Sequence, residues 1–254
     1  MFERISLLFL LLLLLGCADP APLSFENLSF SEEELAMCTS VACPEISLQY
    51  IQAEGSDDLA NQINQEVEAL LINALHIGDP DEPITATHLS EAAQEFVNTY
   101  RLHVAEFPDM PAAYAVEATI SERFQNDQYL SLEANVYTYT GGAHGYGSTS
   151  FLLFDKALGT SISFPEVIAD WEAFEAYVET AFRKAYELSA ADSINANGFW
   201  FEKDQFYIPK SIGFTSEGVL LIYNPYEIAS YAEGAIELSL PWKDIEPYLK
   251  TSSL

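Results

Sequence analysis

The sequence predicts an α+β fold: antiparallel hairpins packed with three main helices in two intimately linked subdomains. Three observations carry this. Apolar residues recur at helical spacing in three separate stretches. They alternate with a period of two around Tyr129–Thr140 and in its neighbours. The strand-like runs follow one another across glycine-containing turns instead of alternating one for one with helices.

Glu45–Ala53 (EISLQYIQA) sets Ile46, Leu48 and Tyr50 on one side and reads as the first strand. Ser56-Asp57-Asp58 then supplies an N-cap and a negative first turn. Leu59, Ile63, Val67 and Leu70/Leu71 follow at helical spacing, which predicts a helix over Asp57–Leu75, ended by IGDPDEP. A second helix is expected from near Thr87 or Ser90 to Phe107, with Phe96, Tyr100, Val104 and Phe107 as its apolar stripe. His103, between Leu102 and Val104, is expected to be structural or exposed there, not a ligand.

From Tyr114 the period changes to two. Ala115–Phe124 reads as a strand, and Tyr129–Thr140 as the clearest one. In the latter, Leu130, Leu132, Ala134 and Val136 face one way; Tyr129, Ser131, Glu133, Asn135, Tyr137 and Tyr139 face the other. Gly147–Asp155 returns as the hairpin partner, and DKALGT turns the chain at Gly159. Asp170 caps a third helix reaching Leu188, with Phe174, Val178 and Phe182 on its buried face. SINANGFWFEKD reads as a loop with exposed-looking aromatics. Gln205–Phe214 and Gly218–Tyr223 form a hairpin turning at Ser216-Glu217-Gly218. After the loop NPYEIASYAEG, Ala235–Leu240 is the last strand and Trp242–Leu249 a short helix.

The chain opens MFERISLLFLLLLLLGC. Its apolar run, Ile5–Leu15, is about eleven residues, a signal-peptide length and too short to span a bilayer. Leu14-Leu15-Gly16-Cys17 is similar to a bacterial lipobox. Cleavage before a lipidated Cys17 is the implied outcome; an ordinary export signal with an incidental cysteine is the competing one. The organisation predicted is a signal peptide (1–16), a flexible tether (17–43), a smaller α+β domain (44–125) and a larger one (126–254). The tether assignment rests on the Pro, Ser and Glu content of residues 18–37. Cys38 and Cys43 remain as an even pair in an exported chain, which reads as a disulfide, with two free thiols as the alternative. The expected location is the bacterial cell envelope, on a lipid anchor.

Ten Lys+Arg against 39 Asp+Glu give a net charge of −29. Such a surface repels nucleic acid and anionic lipid and would steer in a cationic partner. Solubility, or life in a salty medium, explains the charge as well.

TYTGGAHGYGS, residues 138–148, places His144 among four glycines at a strand end. The chemical reading makes His144 a general base or a metal ligand. No H-E-x-x-H, G-x-S-x-G or phosphate-binding glycine motif accompanies it, and no spacing selects a partner among the other three histidines. The architectural reading closes a hairpin on Gly141 and Gly142, holds His144 by hydrogen bonds inside the turn, and sets Tyr137, Tyr139 and Tyr146 beside it on an exposed face. No cofactor or metal is expected.

YLSLEANVYTYTGGAHGYGSTSFLLFDKALGTSISFPEVI and GVLLIYNPYEIASYAEGAIELSLPWKDIEPYL together resemble an exported bacterial domain of unknown function. It is found in the extracellular part of RsiV-like anti-sigma factors and beside a PdaC-type peptidoglycan deacetylase. PEISLQY with Asn61–Asn64 is similar to the smaller domain that precedes it. The resemblance covers roughly Pro44–Lys250. It implies an α+β fold in two linked parts outside the cytoplasmic membrane. It also implies recognition without catalysis, of a cationic lysozyme-like hydrolase or of peptidoglycan glycan, by a surface that includes Tyr226. The alternative is an envelope hydrolase using His144 with a nearby carboxylate or metal; a third is a scaffold subunit.

Overall fold

The structure is a computed structural model that describes residues 23–55, 57–79, 83–109 and 113–250. The expected signal peptide, Cys17 and the Ser56 cap lie outside these residues. Among the described residues no helix is long and apolar enough to cross a membrane.

A six-stranded sheet organises the first half. Its strands are β1 (Phe25–Ser31), β2 (Glu45–Ala53), β3 (Ala115–Gln125), β4 (Tyr129–Tyr139), β5 (Tyr146–Asp155) and β6 (Thr160–Ile162), adjacent in chain order. Only β2 and β3 run parallel. A parallel pair needs a long crossover, and it is made by α1 (Asp58–Leu75) and α2 (Leu89–Glu106). Both helices bury their stripes on one face of the sheet. Ile63, Val67, Leu71, Phe96 and Val97 meet Ile46, Leu48, Ile120, Leu130 and Leu132 there. The alternation read in β4 is realised: Leu130, Leu132 and Ala134 lie in this core, whereas Tyr129 on the opposite face lies in a second one.

Asp57 caps α1, its Oδ1 accepting the Ala60 N–H at 2.7 Å. Asp57→Ala is expected to cost about 1 kcal/mol, the usual worth of such a cap, read as a lowered urea midpoint with unchanged slope.

The second core belongs to α4 (Trp171–Ala185), the short α3 (Phe164–Val167) and α5 (Trp242–Ile245), and a three-stranded antiparallel sheet. That sheet consists of β7 (Ser211–Phe214), β8 (Gly218–Tyr223) and β9 (Ile236–Pro241). Its aromatic content is high; Phe182 alone packs in tilted or edge-on contact with Tyr186, Phe199, Phe201, Phe206 and Tyr223. The two sheets are joined at Ser131, a fully buried hydroxyl on β4. Its Oγ accepts the Phe214 N–H at 3.2 Å, so an edge amide of β7 is satisfied from the larger sheet.

Three expectations are corrected. Residues 25–31, read as tether, form β1 and pair with β2 from Phe25↔Ala53 to Ser31↔Ser47. Leu35 is buried just beyond, and Glu32 accepts the Ile46 N–H. An edge strand is held by its neighbour's backbone and so needs little periodicity of its own. Gln205–Lys210 is not a strand: Pro209 brings no N–H, Lys203 and Asp204 just before it take positive φ, and Phe206, Tyr207 and Ile208 pack into the second core. Phe201, in the loop read as bearing exposed aromatics, is buried, although Trp200 is exposed. Hydrogen bonding also carries the large sheet across residues 125/126, because β3 and β4 are register partners.

Candidate functional site

The expected disulfide is present, Cys38 to Cys43, with Cα atoms 5.6 Å apart. His103, as expected, is structural, its Nδ1 2.8 Å from the Tyr114 hydroxyl.

The β4–β5 hairpin ends in the glycine loop. Gly141 (φ 101°) and Gly142 (φ 96°) occupy backbone angles that side chains disfavour, and the Tyr139 hydroxyl donates to the Gly142 carbonyl at 3.1 Å. A side chain at Gly145 would collide with the Tyr137 ring, which lies directly beneath it.

His144 is exposed but fully engaged. Its Nδ1 is 2.9 Å from the Gly145 carbonyl and its Nε2 3.2 Å from the Tyr226 hydroxyl. A carbonyl can only accept, so Nδ1 carries a proton, and in the neutral ring Nε2 accepts from Tyr226. The ring stacks on Tyr231, centroids 3.8 Å apart and planes within 16°. Tyr231 in turn donates its hydroxyl to the same Gly145 carbonyl, at 3.0 Å. The imidazole thus ties the hairpin tip to the segment after β8. No carboxylate takes part in these bonds. Among the described residues, no group of three or more His, Cys, Asp or Glu gathers as a metal site.

Tyr137, Tyr139, Gly141, Gly142, His144 and Tyr226 are thereby brought together. Tyr146 is not placed with the other strand tyrosines. It is the register partner of Thr138, whereas Tyr137 partners Gly147, so alternation sends Tyr146 to the other face of the hairpin. Sequence reasoning missed Tyr231, which sits in a loop with no periodicity to mark it.

Beside this cluster the face of the large sheet opposite α1 and α2 is open. An open groove of about 360 Å³ runs over Glu117, Asn135, Tyr137 and Thr149 and is walled by Asn224 and Pro225, a size suited to small ligands or single side chains. Asn224 holds the wall in place. Its Oδ1 accepts the Thr149 N–H at 2.8 Å and its Nδ2 donates to the Thr149 carbonyl at 3.0 Å, so it behaves as an added strand on the free edge of β5.

Glu227 anchors the same segment, accepting the Asn224 N–H at 3.0 Å and facing the Tyr207 hydroxyl at 3.4 Å. Burial raises its carboxyl above the ordinary value of 4.5, with the Asn224 amide, Tyr207 and Lys210 pulling the other way. Burial, and then the Glu227 charge, push the Tyr207 hydroxyl up to about 12. The Tyr223 hydroxyl, which donates to the Tyr207 carbonyl at 2.6 Å, is also raised by burial. For a carboxyl raised in the fold, the unfolded chain loses its proton first. Stability therefore falls as pH rises from 4.5 through the raised value. Glu227→Gln removes this contribution. The variant's stability relative to the parent should improve from pH 4 to pH 7, measured as paired urea midpoints.

Two lobes sharing one sheet, with an aromatic-rimmed groove where they meet, define a two-part α+β protein with an open groove. A family model described as Deacetylase PdaC matches residues 38–146, and one described as Protein of unknown function (DUF3298) matches residues 168–243. The chain carries the domain pair that its sequence resembles. A DUF3298 family member from Bacteroides fragilis superposes with a TM-score of 0.68 at 20% identity, over 91% of this chain and 95% of that one. A DUF3298 family protein from Pseudomonas aeruginosa gives 0.62 at 22% identity, over 91% and 96%. At these identities the likeness is one of fold. No curated protein matches the chain.

Proposed function

We propose that this chain is a lipid-anchored cell-envelope protein that binds a ligand on the groove beside the His144 loop, without chemistry of its own. The observation that carries this is the state of His144. Both ring nitrogens are spent within the protein and the ring is stacked on Tyr231, so the side chain builds the surface. A general base needs a free lone pair within reach of a substrate proton, and here Nε2 is directed at Tyr226. Around it, Tyr137 and Tyr226 present apolar area with hydroxyls, a combination common in recognition surfaces.

A cationic lysozyme-like hydrolase suits the charge of −29. Wall glycan is favoured by a separate observation, the amide and hydroxyl groups of Asn135 and Thr149 beside an aromatic ring on the groove floor. Capture of lysozyme at low and high salt tests the first, and no capture at low salt would remove it. Titration with muropeptides tests the second. In whichever arm binds, Tyr226→Ala should weaken the complex about tenfold, as truncation of an interface anchor does, with little change in melting temperature. Tyr226 is 52% exposed, so the fold depends on it little.

A further inference from the structure

We propose that Cys38–Cys43 is a thiol–disulfide exchange site, polarised by Arg101 so that Cys38 is the sulfur attacked and Cys43 the sulfur that leaves. The inference is independent of the groove and its ligand. Arg101, on α2, donates from Nη2 to the Met37 carbonyl at 2.8 Å and lies 3.5 Å from the Cys43 Sγ. It therefore holds both ends of the small ring that the disulfide closes. Arg123 and Arg183 pair with Glu133 and Glu179. Arg101, in a chain with 39 acids, is turned to a carbonyl and a sulfur instead. Its Nε is buried without a partner, so little water screens the charge. The bridge is within reach from outside: both cysteines are half-buried, and Thr39, Ser40, Val41 and Ala42 between them are exposed.

A guanidinium beside a sulfur favours the thiolate over the thiol, and a sulfur that is stable as a thiolate leaves faster. The step balances as follows. The thiolate of an outside thiol attacks Cys38 Sγ, a mixed disulfide forms there, the Cys38–Cys43 bond breaks, and its electron pair stays on Cys43 Sγ facing Arg101. If the outside reagent is a dithiol, its second thiolate attacks the reagent's own sulfur in the mixed disulfide, the bond to Cys38 breaks, and Cys38 Sγ leaves as a thiolate. The dithiol leaves oxidised and the chain is reduced by two electrons. Glu45, two residues beyond Cys43, and Glu32, bonded to the Ile46 amide, oppose the thiolate from the start of β2. Arg101, in direct contact with the sulfur, outweighs them.

The test uses the full chain with peptide mapping. After reduction, iodoacetamide at pH 6.5 should label Cys43 about tenfold faster than Cys38, because the thiolate is the reactive form. Brief exposure of the oxidised chain to glutathione should trap the mixed disulfide on Cys38. Arg101→Met should bring the two labelling rates within about twofold of each other, while Arg101→Lys, which keeps the charge, should preserve most of the difference. Equal labelling in the parent, or glutathione trapped on Cys43 or on both sulfurs alike, overturns the proposal; both readouts stand without the variants should Arg101→Met fail to fold.

Discussion

Phe182→Ala is expected to lower the stability of the fold by about 4 kcal/mol, within the range for truncating a fully buried aromatic. Phe182 is 0% exposed. Its ring lies 4.6 Å from Tyr186 and 5.2 to 5.9 Å from Phe199, Phe201, Phe206 and Tyr223, centroid to centroid. Those neighbours come from the end of α4, the 199–206 loop and β8. Each is fixed by other contacts, as Tyr223 is by its hydroxyl bond to Tyr207. They cannot converge on the void, so most of the cavity term is retained. Urea unfolding followed by near-ultraviolet circular dichroism would read the change. A loss below about 1.5 kcal/mol would mean that the site collapses freely and that the aromatic cluster is not one packed unit.

Gly218→Ala should cost about 3 kcal/mol, by overpacking and backbone strain together. Gly218 opens β8 with φ 156°, and an added Cβ would strike the carbonyl of Leu240 on β9. The obstacle is backbone in a neighbouring strand, so no rotamer change relieves it. Gly218 also closes the turn, with its carbonyl accepting the Thr215 N–H at 2.7 Å. Gly159→Ala is the internal comparison. There φ is 68° and nothing lies within 4 Å of the new atom, so only the conformational cost of about 1 kcal/mol remains. Equal losses at the two glycines would show that the Leu240 contact has no weight.

Much of this architecture is legible in the sequence because the elements with one buried face write a period into it. α1, α2, α4, β2, β3 and β4 match their expected positions to within a few residues for that reason. The parts that were not legible are those held by someone else's hydrogen bonds. β1 is an edge strand with Phe25, Leu28 and Phe30 at irregular spacing, and its stability comes from the register with β2. β6, three residues long, is similarly an appendage of β5. The site divides in the same way. The glycine loop announces a turn by composition, and Tyr226 by the motif it sits in. The stacking of Tyr231 on His144 joins residues far apart in the chain, and no local pattern encodes it. The groove is likewise a product of topology: Glu117, Asn135 and Thr149 become neighbours only once three strands are in register.

If Cys17 carries the proposed lipid, the register of the large sheet also fixes which way the molecule points. The chain enters β1 at Phe25, opposite Ala53 at the close of β2. Glu45, where β2 begins, is level with Ala115 and through it with Tyr139 at the hairpin tip. The nine residues of β2 separate these levels by about 26 Å, at ~3.3 Å per residue step. With a lipid on Cys17, the six residues to Leu23 reach no more than about 20 Å. On the proposed anchor the edge nearest the bilayer is the Phe25 side, and the tyrosine-rimmed tip, together with the cystine ring, stands at the opposite pole.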